Sequence, residues 1–102
     1  MNQSAANPFP TTTQLPVIVK FTASYCGPCR QLTPMLASLA AEYAGRVEVI
    51  EIDIEAEPDI AQRYRVRAVP TLLGLREGNV VAQQVGTSSR ARVESMFAAL
   101  VA

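Results

Sequence analysis

The sequence predicts one α/β domain in which helices flank a small mixed β-sheet. Apolar residues form strand-length runs and helically spaced stripes, in the order strand, helix, strand, short helix, two strands, helix. A strand–helix–strand unit indicates a right-handed crossover and a parallel pair of strands. Two strands joined by a tight turn containing glycine indicate an antiparallel pair. We therefore expect both kinds of pairing in one sheet.

The first strand and the helix after it are the most strongly marked elements. The strand covers 17–21, a β-branched and aromatic run that is too apolar to have one face in water. The helix is predicted over 28–43, with Pro28 in its first turn and Gly45 placed to end it. Pro34 lies inside this helix, removes one backbone donor, and is expected to bend the axis.

Weaker patterns predict the other elements. They are a strand at 47–54, a short helix from about 57 to 64, strands at 71–75 and 80–85, and a last helix that begins at Ser88 or Ser89. Residues 1–14 are polar, contain two prolines and lack periodicity, so they are predicted to form a loosely ordered lead-in to a domain at 15–102. Phe9 is expected to anchor this lead-in to the core.

Composition excludes several classes of protein. Nine basic and nine acidic residues give a net charge of zero, which argues against nucleic acid or an anionic membrane as the main partner. No apolar run approaches the roughly 20 residues that span a bilayer. The N-terminus has neither the basic start nor the apolar stretch of a secretory signal, so a cytoplasmic location is expected. Two cysteines are too few for a disulfide-dense secreted scaffold.

The two cysteines, Cys26 and Cys29, are predicted to lie at the start of the first helix, directly after a buried strand. The Cys26 sulfur would face the unpaired N–H groups and the positive dipole end of the helix, which favour the thiolate. Cys26 is therefore the candidate nucleophile, and the more enclosed Cys29 is the candidate resolving cysteine. The alternative interpretation is that the two cysteines form a static disulfide or stay as two buried thiols with no redox role.

A metal site is not expected in a single chain. A structural zinc site needs four nitrogen or sulfur ligands, and the chain has no histidine and no third cysteine. Two chains sharing four thiolates would be the remaining possibility.

Further motifs accompany the cysteine pair. Cys26-Gly27-Pro28-Cys29 is identical to the active-site tetrapeptide of the thioredoxin family, Val69-Pro70-Thr71 looks like its cis-proline loop, Pro34 like its helix-bending proline, and Gly78 and Gly86 like its hairpin and substrate-groove glycines. From about residue 15 to the C-terminus, the chain resembles that family in these motifs and in the order of its elements.

The resemblance implies a thioredoxin-like fold and the activity of a protein-disulfide reductase. The redox group would be a Cys26–Cys29 disulfide with no further cofactor, in a protein that carries electrons from an NADPH-dependent thioredoxin reductase to disulfide-containing substrate proteins. The implied substrate-binding residues are Tyr25, Gly27, Pro28, Val69, Pro70 and Gly86. A cis Pro70 would expose backbone groups with which an extended substrate segment could pair. A thioredoxin-like binding module with secondary cysteines is the alternative.

The chain departs from the family pattern at several positions. Tyr25 and Thr22 stand where thioredoxins usually have tryptophan, so substrate packing is expected to differ. Little room remains before Val17 for the family's first strand and helix, so these are expected to be abbreviated and the strand at 47–54 to lie at an uncovered edge. Arg63, Arg65 and Arg67 crowd the approach to Pro70, either as a solvated surface or as a bias toward acidic substrates.

Lys20 and Glu51 stand where thioredoxins carry an aspartate and a lysine, respectively. Alternation along two parallel strands would bring both side chains beneath the cysteines among apolar neighbours, where an ion pair is the favoured arrangement. Lys20→Met would then leave a buried carboxylate unpaired and cost several kcal/mol. The resemblance to thioredoxins implies an acidic side chain that takes the proton of the resolving cysteine. Charged Lys20 cannot do this, so Glu51, acting through a water, is the candidate base.

Overall fold

The computed structural model describes Phe9 and residues 14–102. The elements in that part of the chain are β1 (Val17–Thr22), α1 (Gly27–Glu42), β2 (Glu48–Asp53), α2 (Pro58–Arg63), β3 (Thr71–Arg76), β4 (Asn79–Val85) and α3 (Arg90–Val101). Their order and kinds confirm the predicted α/β architecture. Apart from Phe9 and Gln14, the predicted lead-in at 1–14 lies outside the described residues.

The four strands form one mixed sheet in the order β2-β1-β3-β4. β1 pairs in parallel with β2, while the β1–β3 and β3–β4 pairs are antiparallel. The predicted parallel pair and the predicted hairpin are therefore both confirmed. Within the described residues, β2 lies at one edge of the sheet and β1 is central. Every residue of β1 except Thr22 is buried, as its continuous apolar run predicted.

Alternation along β1 divides the core between the two faces of the sheet. Ile18 lies on the face covered by α1 and α3, in a cluster that includes Leu39 and Phe97. Val19 and Phe21 lie on the opposite face together with Phe9. The Phe9 ring stacks on Tyr64 with a centroid distance of 5.2 Å and meets the edge of Phe21 at 6.5 Å. Phe9 is therefore anchored to the core, as predicted.

The long helices begin and end close to the positions that the sequence predicts. α1 buries residues at helical spacing, namely Cys29, Leu32, Leu36 and Leu39. It contains Pro34, and Gly45 beyond its end has a φ of 83°. Ser89, rather than Ser88, caps α3, because its hydroxyl accepts a hydrogen bond of 3.2 Å from the N–H of Arg92. Arg90 in the first turn of α3 forms an ion pair with Glu42 at the end of α1.

The short helix α2 ends in a left-handed residue. The N–H of Arg65 donates to the carbonyl of Gln62 at 3.0 Å, and the N–H of Val66 donates to that of Ala61 at 2.9 Å. These two bonds form a Schellman motif, and Arg65 occupies its left-handed position with a φ of 57°. Glycine is the usual residue there, and a residue with a Cβ costs on the order of 1 kcal/mol in that conformation.

Candidate active site

The two cysteines lie where β1 gives way to α1. They form a disulfide with an S–S distance of 2.11 Å and a Cα–Cα distance of 5.3 Å. Cys26 is the N-cap of α1, and its sulfur accepts a hydrogen bond of 3.1 Å from the N–H of Cys29. The first sulfur therefore faces the free donors of the helix, where negative charge is stabilised.

The disulfide is largely enclosed by apolar side chains. Cys26 is 5% exposed and Cys29 is 1% exposed. Ala23, Ile54 and Val69 pack around them. The sequence pattern predicted a strand at Ile54 but not this contact. The signal was available, because Ile54 follows β2, and the carboxyl ends of parallel strands meet at one edge of a sheet.

The loop before β3 lies beside the disulfide, because its Val69 packs against the cluster that contains both cysteines. Its Val69–Pro70 peptide bond is cis. The carbonyl of Pro70 accepts a hydrogen bond of 2.8 Å from the N–H of Gly86, and the hydroxyl of Thr71 donates to the carbonyl of Ala68 at 2.7 Å. Gly86 has a φ of 84°, a backbone conformation that favours glycine. Val69, Pro70 and Gly86 are thus fixed together beside the cysteines.

An exposed surface adjoins the buried disulfide. Tyr25 is 68% exposed, and Gly27 and Pro28 are exposed as well. The loop that carries Tyr25 is held by Ser24, whose hydroxyl donates to the Glu55 carboxylate at 2.9 Å. All six predicted substrate-binding residues therefore lie around the disulfide.

Lys20 and Glu51 are direct neighbours across the β1–β2 pair, and their side chains form the predicted ion pair with an Nζ–Oε2 distance of 3.3 Å. The expectation that both lie among apolar neighbours is wrong for Glu51. The Lys20 side chain is 5% exposed, but that of Glu51 is 59% exposed, because β2 lies at the edge of the sheet described. Removing one side chain of this pair therefore destabilises the protein only when the side chain left unpaired is the buried Lys20.

Thr33 joins Lys20 to the helix of the cysteines, a role that the sequence analysis missed. The Lys20 ammonium donates to the Thr33 hydroxyl at 2.9 Å. That hydroxyl in turn donates to the carbonyl oxygen of Cys29 at 3.4 Å. Lys20, Thr33 and Glu51 also line a cleft of about 320 Å³. The signal in the sequence was that Thr33 lies four residues after Cys29, on the same helix face. Lys20 and Thr33 thus link Glu51 to the backbone of Cys29.

Phe9 and residues 14–102 contain neither a metal-binding cluster nor a membrane-spanning helix. In that part of the chain, no group of three or more acidic, cysteine or histidine side chains is arranged to hold a metal ion. None of the helices described there is long and apolar enough to cross a membrane.

A disulfide whose first sulfur faces the start of a helix can open and re-form, because the helix stabilises the thiolate that opening produces. Fold and site together define a thiol–disulfide oxidoreductase, with the Cys26–Cys29 disulfide as its redox group. The chain belongs to the thioredoxin family, whose sequence model matches residues 5–99.

Individual relatives agree with this family assignment. The chain is 41% identical over 84 residues to thioredoxin C-2 of Corynebacterium nephridii. The matched residues make up 82% of this chain and 78% of the relative. The chain is 40% identical over 82 residues to a thioredoxin of Acidithiobacillus ferridurans, covering 80% and 76%. A mitochondrial thioredoxin of Mus musculus is 38% identical over 88 residues, covering 86% of this chain and 53% of that protein.

Proposed function

We propose that this protein reduces disulfides of other proteins, with Cys26 as the nucleophile. In the reduced state, the Cys26 thiolate attacks one sulfur of a substrate disulfide. An S–S bond forms between Cys26 and the substrate, the substrate's own S–S bond breaks, and the second substrate sulfur leaves as a thiolate that takes up a proton. The observation that carries this assignment is the hydrogen bond from the Cys29 N–H to the Cys26 sulfur.

Cys29 completes the reaction as the resolving cysteine. Its thiol loses a proton and attacks the Cys26 sulfur, the intramolecular disulfide forms, and the first substrate sulfur leaves as a thiolate and is protonated. Two electrons and two protons have then passed from the dithiol to the substrate. The structure has the oxidised state that ends this reaction, in which the two sulfurs are bonded. The enclosure of Cys29, at 1% exposed, supports its acting only on a sulfur already bound beside it.

In the reduced protein, Cys26 is expected to react with a thiol reagent roughly ten times faster than Cys29 or more. The reason is that the first sulfur combines the N-terminal field of α1 with the greater access. Brief treatment with iodoacetamide followed by mass mapping of the labelled peptide measures the ratio. Preferential labelling of Cys29 would exchange the two roles.

Substrate binding is proposed for Tyr25, Gly27, Pro28, Val69, Pro70 and Gly86. Tyr25 offers an exposed aromatic ring directly before the nucleophile, and Val69 packs against the cluster that contains both cysteines. An extended substrate segment would pair with free backbone groups of the 69–70 segment and place its disulfide over Cys26. Backbone pairing does not depend on side-chain identity, so it would allow many substrates.

Lys20 and Glu51 are proposed to act on the resolving step. The exposed carboxylate of Glu51 is accessible to water, through which it would take the proton that Cys29 loses. Lys20, linked by Thr33 to the Cys29 carbonyl, holds a positive charge beneath the turn of α1 that carries the thiol. Its ammonium would stabilise the thiolate as it forms.

The supply of electrons and the cellular setting belong to the same proposal. An NADPH-dependent thioredoxin reductase would return the disulfide to the dithiol, so that the protein carries electrons from NADPH to its substrates. The working unit would be the domain at 15–102, and the location would be the cytoplasm.

A coupled assay tests the proposal as a whole. The protein, NADPH and a thioredoxin reductase are expected to reduce insulin disulfides catalytically, with oxidation of NADPH followed by absorbance. A variant with both cysteines replaced by serine is the control, since it keeps the surface and removes the redox group. If the native sequence supports no more turnover than that variant, the cysteine pair does not carry the electrons, and the binding-module alternative is favoured.

A further inference from the structure

Two exposed arginines lie between α2 and the active-site loop. Arg65 and Arg67 are both exposed, and together with Gln62 and Val66 they line a cleft of about 280 Å³. Neither arginine forms an ion pair with any residue in the described part of the chain. Residues 1–8 and 10–13, which lie outside it, contain no aspartate or glutamate. The chain therefore supplies no carboxylate partner that accounts for these two charges.

The backbone conformation of Arg65 argues against an incidental surface charge at this position. Its φ of 57° lies in the left-handed region, at the point of the Schellman motif where glycine is the favoured residue. Arg65 thus places a long cationic side chain at a position that glycine would occupy without strain. Strained residues that persist are concentrated at functional sites, so the outlier points to a use for this side chain.

Arg63, in the same segment, is an arginine whose position is explained by its contacts with α2. It lies in the last turn of α2, where a positive charge complements the helix dipole, and its guanidinium lies 5.7 Å from the centre of the Tyr64 ring. Arg65 and Arg67 lie beyond the helix end and share neither contact. The helix therefore explains Arg63 but not the other two.

The segment that carries these arginines continues directly into the active-site loop. Val69, which packs against the disulfide cluster, is two residues after Arg67, so their Cα atoms are at most about 7 Å apart. The exposed Val85 pairs with Thr71 on the adjoining strand. A protein segment that presents its disulfide to Cys26 along this loop would bring its flanking side chains close to Arg67 and then Arg65.

The geometry points to Arg65 and Arg67 as a specificity surface that selects substrate proteins with aspartate or glutamate beside the reactive disulfide. This inference rests on the proposed reduction of protein disulfides and names the class of substrate that is reduced fastest. Each arginine offers a planar fork of donors that matches a carboxylate. Because both lie at an exposed rim, they should act mainly on the rate of association and weaken with added salt.

The test uses three disulfide-linked peptides that differ only in the two residues flanking the cysteine, which are Asp, Ser or Lys. The second-order rate constant for reduction by the reduced full chain is measured in a single turnover at low and high salt. For the native sequence we expect the order Asp, Ser, Lys, with steps of roughly two- to fivefold at low salt. The steps should shrink at high salt.

Arg65→Gly, Arg67→Gln and the double variant are then compared with Arg46→Gln. Arg46 also carries one positive charge, but it lies beyond the far end of the 16-residue helix α1. Each single variant should reduce the rate with the Asp peptide by roughly two- to fivefold, and the double variant should remove the order. Arg46→Gln should preserve it. The thermal midpoint of Arg65→Gly should equal or exceed that of the native sequence, which separates lost recognition from lost folding.

Three results would overturn the inference. Two of them are an unchanged peptide order in the double variant and an equal loss with all three peptides. The third is read from NADPH oxidation when a thioredoxin reductase recycles the double variant: a defect confined to that step would assign the arginines to the reductase. A failure of the proposed function is distinguishable from these. In that case the native sequence would reduce none of the peptides.

Discussion

Cys26→Ser is expected to abolish reduction of protein disulfides, lowering turnover by roughly a thousandfold or more. A serine hydroxyl at the N-cap of α1 can still accept a hydrogen bond from the backbone, but it cannot form an S–S bond with a substrate. The measurement is insulin reduction coupled to NADPH and a thioredoxin reductase. Circular dichroism and the thermal midpoint of the reduced variant establish that the fold is intact.

Cys29→Ser removes the other sulfur and has a different expected result. The first attack still occurs, so one thiol is released from the substrate, but the mixed disulfide on Cys26 has no resolving partner in the chain. The complex should therefore accumulate and turnover should stop. A mixed disulfide that accumulates with Cys26→Ser, or that fails to accumulate with Cys29→Ser, would contradict the division of roles between the cysteines.

The second large effect concerns the ion pair beneath α1. Glu51→Gln is expected to lower the free energy of unfolding by about 1 to 2 kcal/mol, because among the described residues it leaves the buried Lys20 ammonium with the Thr33 hydroxyl alone. This figure is reduced from the cost of breaking a fully buried pair, since the Glu51 side chain is 59% exposed and screened by water. Lys20→Met should be neutral or stabilising, because it removes the buried charge and leaves a solvated carboxylate.

Urea unfolding of both single variants and of the double variant measures the coupling between the two residues. Glu42→Gln is a matched control, because it also removes a carboxylate from an ion pair, but both partners of that pair are exposed. It should cost less than about 1 kcal/mol. A loss of several kcal/mol in Lys20→Met, with none in Glu51→Gln, would contradict the asymmetric burial of the pair.

The same variants test the chemistry of the resolving step. If Glu51 accepts the proton of Cys29, Glu51→Gln slows the release of substrate from the mixed disulfide. Stopped-flow measurement of this step against pH separates that role from a loss of stability. A pH profile identical to that of the native sequence would remove Glu51 from the mechanism.

Local patterns were enough to predict most of the fold. The apolar run of β1, the helical spacing along α1 and the turn at Gly78 each depend on residues close together in the chain. Glu77 and Gly78 both have positive φ, as the tight turn of the β3–β4 hairpin requires. The cysteine pair was recognisable for the same reason, because a strand and a helix start flank it directly.

Features that depend on distant parts of the chain could not be read in this way. The exposure of Glu51 follows from the edge position of β2 in the described sheet. That position was expected from the resemblance to a known family, but the pattern of the strand itself did not indicate that its Glu51 side chain would be exposed. The left-handed conformation of Arg65 was hidden because the sequence lacks the glycine that normally marks such a helix end. Thr33 has no motif of its own and acquires its role from Lys20 on another element.

The most direct test of the central claim is the identity of the bond formed on the substrate. Reduced Cys29→Ser protein is mixed with a disulfide-containing protein such as insulin, quenched with acid, and mapped by non-reducing peptide mass spectrometry. The account predicts a covalent complex whose only new link is a disulfide between Cys26 and a substrate cysteine, released by dithiothreitol and absent from the Cys26→Ser variant. A complex that is missing, or that forms equally well without Cys26, would contradict reduction through this cysteine.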